Sequence, residues 1–465
     1  MRTRHFGLTI ALALVPSLAV AQTTALDRQL VEEGRRIFFE ETFEGNGRTC
    51  GTCHPATNNF TIDPEFIATL PNDDPLFVAE NVPELAELED PALMRAFGLI
   101  LENVDGFANQ PVFRSVPHNV GMTVSTTGDT EHIGGRDAVG WSSDGAPGEG
   151  TLRDFLTGAI TQHFPRTLAR TPGIDFRLPT EEELDAVEAF LRSLGRTEET
   201  DLSAMAFGDP AVDAGRRLFL GEDGVNRGCS ACHGNAGANN DDGLNQNFDT
   251  GVRRLTFGPE TLGVRLPPDG GFGTAALIDE AAIGGDGGMG DGTFNVPSLI
   301  EAADTPPFFH DNSAETIEDA VAFYTTDMFG DSPAGQFGGA FDLTPGQVDQ
   351  VAALLRALNA QENIRNGNVL SIEAQRLRGA DAFARTTEAM AETEDAIQVL
   401  TEGPLVMFPH TVRLLRSALE LENSALLTAA AAQRNRLLVT AQRIKDQASL
   451  SMLALQPALV ANADQ

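Results

Sequence analysis

Cys50-Gly51-Thr52-Cys53-His54 is a C-x-x-C-H stretch, and Cys229-Ser230-Ala231-Cys232-His233 repeats it in the second half of the chain. This spacing is the attachment signature of a c-type haem. The two thiols add to the haem vinyl groups, and the adjacent histidine offers an axial nitrogen to the iron. The chain has four cysteines, and the two motifs use all of them. The competing reading is a pair of thioredoxin-like dithiols. It leaves His54 and His233 unexplained, and no βαβ pattern surrounds either motif.

Working outward from the motifs, the two halves share an order of landmarks. Val31 to Phe39, containing Gly34-Arg35-Arg36, precedes the first motif, and Val212 to Leu220, containing Gly215-Arg216-Arg217, precedes the second. Each reads as a short amphipathic helix leading into an attachment loop. Ser115-Val116-Pro117 pairs with Asn295-Val296-Pro297, Trp141 to Gly145 with His310-Asp311-Asn312, and Leu152 to Phe155 with Ile317 to Ala320. Each half closes with a helix, one from Thr180 to Leu194 and one from Thr344 to Leu358. Thr180 and Thr344 suit the N-cap, and Pro345 suits the first helical position. The predicted fold is mainly α, with two duplicated cytochrome c-like haem domains at 22–197 and 198–362. A helical extension at 363–465 follows, rich in Ala, Leu, Arg, Glu and Gln and interrupted at Gly403-Pro404 to Pro409. It is expected to cap the haem domains or to serve as a docking or dimerisation arm. Pro91 to Leu101 is a further helix candidate. Residues 234–293 read as long loops. Within them Asp286 to Asp291 offers carboxylates for calcium, but without the spaced set of an EF-hand, so a plain loop is the simpler reading.

Arg2 and Arg4, an apolar run from Phe6 to Val20 and Ala19-Val20-Ala21 read as a signal peptide over 1–21. Export to the periplasm suits thioether attachment, which takes place outside the bacterial cytoplasm. No later stretch has the apolar length of a membrane span. The 465 residues carry a formal net charge of −35, which argues against nucleic acid and anionic membrane surfaces and suits a basic electron-donor protein. Lys445 is the sole lysine. The sequence leaves an oligomer open.

Pro307-Phe308-Phe309-His310-Asp311 followed by Thr316 to Val321 resembles the P-Y-F-H-D-G and T-L-E-E-A-V motifs of the dihaem cytochrome c peroxidase superfamily, which includes the MauG-type maturation enzymes. Arg114 to Pro117 and Trp141 to Gly145 resemble its R-N-x-P and F-W-D-G motifs more loosely. The resemblance covers roughly residues 28 to 360. It implies two haems, one passing electrons in and one reducing hydrogen peroxide, with a tryptophan between them. Trp141, the one tryptophan, is the candidate relay. His54 and His233 are the proximal ligands by motif.

In the family the distal ligand of the second haem is Met or Tyr. The matching position here is Tyr324, the one tyrosine of the chain, with Met328 one turn further along the same face and Met289 as competitors and a core aromatic as the plain alternative. Counting seven residues from Leu152, as Tyr324 lies seven from Ile317, reaches Ala159, which cannot ligate iron. The first haem is therefore expected to have an open distal face. No histidine lies between His54 and His118, which departs from the loop histidine of many family peroxidases. Peroxide cleavage needs an acid/base above the iron. The family uses a glutamate with a glutamine nearby, and neither is evident at the matching positions. His163, one turn beyond Ala159, is the candidate, with Glu131, His132 and His118 as alternatives. Arg166 and Arg170 are candidate propionate partners. His310 suits propionates or the turn between the halves, and His410 lies outside the ligand set.

The leading functional expectation is a peroxidase with cofactors of two covalent c-type haems. A MauG-like oxidant of a protein or organic substrate, a dihaem electron carrier and a dioxygen-dependent enzyme are the alternatives.

Overall fold

The structure is a computed structural model. It describes residues 25–103, 112–125, 151–222, 224, 228–240, 245–255, 258, 266, 269–271, 292–339 and 341–454. The leader, Glu131, His132, Trp141, Met289 and the Asp286–Asp291 loop lie outside these residues. Among the described residues the chain is mainly α, with two small antiparallel sheets. The first half contains α1 (Ala25–Glu40), α2 (Pro91–Phe97), β1 (Leu99–Glu102), β2 (Val112–Ser115), α3 (Leu152–His163) and α4 (Glu181–Ser193). The second contains α5 (Pro210–Phe219), β3 (Asn247–Phe248), β4 (Phe294–Asn295) and α6 (Ile317–Phe323). α7 (Pro345–Arg376), α8 (Gly379–Thr401), α9 (Pro409–Leu426) and α10 (Ala431–Met452) complete the chain. No described helix is long and apolar enough to cross a membrane.

Each half is built on a crossing of two helices that a glycine permits. A Cβ on Gly34 of α1 would lie 1.9 Å from the carbonyl oxygen of Ala186 on α4. A Cβ on Gly215 of α5 would lie 1.9 Å from the carbonyl oxygen of Gln350 on α7. No side chain fits at either contact. Phe38 and Phe219, four residues beyond these glycines, are both fully buried. The helices that follow the attachment loops also start alike. Asp154 N donates to Thr151 Oγ1 at 3.2 Å at the head of α3, and Asp319 N donates to Thr316 Oγ1 at 3.1 Å at the head of α6. Thr180 caps α4 through Glu183 N at 3.2 Å, and Thr344 N donates to Gln347 Oε1 at 2.9 Å at the head of α7.

Two helix ends differ from expectation. The helix from Pro91 stops at Phe97, because Gly98 takes a left-handed φ of +67° and turns the chain into β1. β1 then pairs with β2, with Leu99 opposite Ser115 and Glu102 opposite Val112. The closing helix of the second half runs past Leu358 to Arg376, and nothing in its sequence breaks it. Its first half belongs to the second-half core and its second half belongs to a four-helix bundle with α8, α9 and α10. One continuous apolar cluster joins Val212, Phe219, Val351 and Leu355 to Ala396, Leu415 and Met452 of the bundle.

The bundle is held by small side chains at seven-residue spacing. Ala382, Ala389 and Ala396 on α8, Ala418 and Ala425 on α9, and Ala441 and Ala448 on α10 are all fully buried. A seven-residue repeat keeps one seam facing its neighbours, and small residues let the backbones approach closely. The sole lysine lies inside this seam. Lys445 Nζ donates to Glu422 Oε1 at 2.7 Å, with both side chains 0% exposed. A Cβ on Gly367 would lie 2.9 Å from Nζ, so the glycine leaves room for the ammonium group. Lys445→Ala strands a buried carboxylate and is expected to cost about 3–5 kcal/mol in denaturant unfolding. The double variant Lys445→Met with Glu422→Leu should recover that loss.

The halves and the extension meet at a buried acidic junction. Asp304 accepts from Asn359 Nδ2 at 2.7 Å and Asn363 Nδ2 at 2.8 Å. Glu362 accepts from Arg365 Nε at 2.7 Å and lies 3.5 Å from Arg196. Burial, and then neighbouring carboxylates, push Glu301, Glu392 and Asp395 well above the ordinary range. Burial pushes Asp304 to about 6, against the opposing asparagine bonds. These groups bind protons more tightly when folded. Their stabilisation is complete below about pH 4 and is lost as pH rises through the folded values. Glu392→Gln is therefore expected to melt progressively higher than the parent as pH rises from about 5 to about 8. A constant difference across that range would remove Glu392 from the junction's titration.

Candidate functional site

The two histidines of the motifs are held in the same way. Cys50–Cys53 forms one helical turn, and His54 N donates back to the Cys50 carbonyl at 3.0 Å. His233 N donates to the Cys229 carbonyl at 2.9 Å. Nδ1 of His54 lies 2.7 Å from the Phe60 carbonyl, and Nδ1 of His233 lies 3.1 Å from the Pro297 carbonyl and 3.3 Å from that of Gly237. A carbonyl accepts only from N–H, so the proton sits on Nδ1 and the Nε2 lone pair points away from the backbone. Burial pushes both rings down to about 4, although the carbonyl bonds oppose it. Both are therefore neutral nitrogen donors at physiological pH. None of the four cysteines is in a disulfide. Burial pushes the Cys50 and Cys229 thiols up to about 12 and Cys53 to about 11.

Beside the second motif lies a cavity of about 380 Å³ lined by Cys229, Cys232, His233 and Tyr324. Tyr324 caps the end of α6. Its ring meets Phe323, Phe329 and Phe341 edge-on at centroid distances of 5.4, 5.0 and 6.4 Å. Burial, and then the two thiols of the motif, push its hydroxyl well above the ordinary tyrosine range. Met328 is not on the same helix face, contrary to expectation. The Thr325 and Thr326 hydroxyls donate to the carbonyls of Ala322 and Phe323 at 2.7 Å and end α6, and Met328 sits on a separate turn, Asp327–Gly330. It does not line the cavity. The wall also takes Glu102, Arg114, His118 and Phe155 from the first half, so the cavity reaches the seam between the halves.

That seam is made by backbone acceptors. Ser115 N donates to the His310 carbonyl at 2.7 Å, Asn312 Nδ2 to that of Phe97 at 2.8 Å and Asn239 Nδ2 to that of Val124 at 2.8 Å. Arg114 forms a two-bond fork with Asp269, both bonds at 2.8 Å. Asp269 is held at about 2, because Arg114 outweighs the effect of burial. His310 stacks on Phe294 at 4.1 Å, lines the cavity and has a buried Nδ1 with no partner.

In the first half α3 brings His163 into a network that composition could not reveal. His163 Nδ1 lies 3.4 Å from Glu89 Oε1, and Nε2 lies 3.9 Å from Glu102 Oε1. Arg48, 1% exposed and two residues before Cys50, donates to Glu89 at 2.9 Å, and Leu101 N donates to the other Glu89 oxygen at 2.8 Å. Burial alone would raise the Glu89 carboxyl, but His163 and Arg48 hold it at about 2. Gln162 Nε2 donates to Glu102 Oε2 at 3.2 Å. Glu102 thus connects the His163 network to the cavity wall. Arg48, Glu89, Glu102 and Gln162 were not among the expected site residues. Glu89 and Glu102 are two of 67 acidic residues with no local pattern.

Arg166 and Arg170, the candidate propionate partners, bond backbone carbonyls of the first half. Arg166 donates to the Ile174 carbonyl on an exposed loop, and Arg170 donates to the Asn103 carbonyl at 2.7 Å. Both brace the segment after α3, and neither lines the cavity. Ala159 lies on α3 between Phe155 and His163. His410 is exposed in the first turn of α9. Comparison with models of known protein families and with curated proteins finds no match for the chain.

Proposed function

We propose that the protein is a periplasmic dihaem c-type oxidoreductase that reduces hydrogen peroxide, built from two duplicated haem-binding halves. The observation that carries this reading is the repeated pairing of a two-thiol turn with a neutral histidine whose Nδ1 is fixed by a backbone carbonyl. That arrangement suits attachment of a haem through Cys50, Cys53 and His54, and of another through Cys229, Cys232 and His233. The cavity beside the second motif fits such a group. Its wall is mostly apolar, and it holds buried polar atoms, Nδ1 of His118 and of His310, that have no partner among the described residues.

A bound haem supplies a redox-active iron able to cleave an O–O bond with electrons from a donor protein. The protein residues do the rest. Phe60 orients His54, and Pro297 orients His233, so that each presents Nε2. Tyr324 occupies the wall beside the second motif, where a phenolate would favour the ferric state. Its counterpart seven residues beyond Leu152 is Ala159, which leaves the first site open. Reduction of peroxide consumes two electrons and two protons and yields two waters. His163 Nε2 and the Glu102 carboxylate are the groups placed to carry a proton from the near oxygen to the leaving one. Ionised Glu89 holds the His163 ring, and Gln162 holds Glu102. Glu102 and Gln162 are a glutamate and a glutamine in contact, away from the positions that match the family's pair.

A second reading, MauG-like oxidation of a protein or organic substrate, draws support from Tyr324 at the cavity wall with Met328 away from it. Rapid mixing of the haem-loaded protein with hydrogen peroxide decides among the readings. A peroxidase returns quickly to its resting spectrum when a donor is present. A long-lived oxidised species points to the second reading, and two low-spin haems that ignore peroxide would leave an electron carrier. Tyr324→Phe is expected to change the low-spin haem spectrum alone. His163→Ala and Glu102→Gln should each slow peroxide turnover by about a hundredfold or more. Rates near the parent's would remove that residue from proton transfer.

A further inference from the structure

We propose that His118 reaches across the seam from the first half and hydrogen-bonds the carboxylate edge of the haem held by Cys229, Cys232 and His233, raising that haem's reduction potential. This rests on the dihaem reading above. His118 follows β2 and Pro117 in the first half, yet its ring lines the cavity of the second motif. Ser298 lines the same cavity, and its carbonyl opposes the lowering that burial imposes on the ring. Nδ1 is buried and has no partner among the described residues. Leaving such an atom unsatisfied costs about 1–3 kcal/mol, so a group that fills the cavity is expected to satisfy it. A haem carries only two substituents that form strong hydrogen bonds, its propionate carboxylates.

His118 shares its cavity wall with the segment that orients the second motif. Ser298, on that wall, follows Pro297, whose carbonyl accepts from His233 Nδ1 at 3.1 Å. Arg114, which also lines the cavity, is forked onto Asp269 at 2.8 Å. With its proton on Nδ1, the ring would donate to a carboxylate oxygen and offset part of the negative charge of one propionate. A propionate left charged in the same apolar wall would favour the ferric state. His118 is thus a positioning and tuning residue rather than a catalytic one.

The test is a redox titration of the purified haem-loaded protein, following the low-spin haem band. His118→Phe is expected to shift the reduction equilibrium about tenfold toward the ferric form, a fall of about 59 mV for one electron. His118→Gln, which keeps a donor, should recover part of that shift. His310→Gln serves as the control, since its Nδ1 also lacks a partner. An unchanged potential in His118→Phe overturns the proposal, and so does a shift that follows His310 alone. If either His118 variant fails to fold, infrared difference spectra of the parent on reduction decide. A perturbed carboxylate band supports the contact, and its absence overturns it. A haem count below two by pyridine haemochrome would overturn the dihaem reading itself, whereas two haems with an unmoved potential overturn only the role of His118.

Discussion

The bond from a backbone carbonyl to a histidine Nδ1 is the constraint on which both sites depend. At His54 the acceptor is Phe60, six residues on in the same loop, so the first site is locally determined. At His233 the main acceptor is Pro297, sixty-four residues away, in the segment that follows β4. The second site therefore draws on the segment after β4, which pairs with β3, as well as on the Gly237 carbonyl four residues on. The same stretch carries Ser298, which lines the cavity together with His118 of the first half. Local assembly at one motif and long-range assembly at the other follow from one interaction with two acceptors.

What could be read from the sequence follows the same division. The C-x-x-C-H turns, the glycine-bearing helices and the threonine caps of α3, α4, α6 and α7 are local features, and their chemistry shows in a few consecutive residues. The family resemblance singled out Tyr324, and the structure has it at the cavity wall. Helical spacing failed four residues later, because Thr325 and Thr326 hydroxyls satisfy the last carbonyls of α6 and turn the chain away before Met328. Glu102 was out of reach for a different reason. Its position depends on Gly98 ending α2 and on β1 finding β2 across a connection that no turn signature marks. Glu89 depends in turn on Arg48 and on the Leu101 N–H of that same strand. Trp141 lies outside the described residues, so the relay assigned to it rests on the motif alone.

The extension was legible as helical but not as a bundle. A search for large apolar residues at helical spacing finds Leu414, Leu415 and Leu419, of which Leu415 is fully buried. The seam is written instead in alanine, glycine, serine and threonine, residues common enough that a seven-residue recurrence does not stand out. Close backbone approach then decides where the larger polar groups go. Gly367 opens the space that Lys445 fills, and Glu422 balances it. The same continuity explains why α7 has no break at the end of the second half. Its apolar face passes from the core around Phe219 into the bundle without a change of partner type.

The burial of cations has a consequence for the outside of the molecule. Lys445, Arg48, Arg114 and Arg434 are among the cations withdrawn from solvent, and several of the carboxylates they face are buried with them. Such pairs cancel locally. They add little to the formal net charge of −35. A field of that sign raises the encounter rate of a basic protein, weakens with salt over a Debye length of about 8–10 Å and repels anionic surfaces. Hydrogen peroxide, the oxidant of the proposed function, is uncharged and would pass through this field without steering. On that proposal the surface charge bears on the electron donor and not on the oxidant, and donor access is the step whose rate would depend on ionic strength.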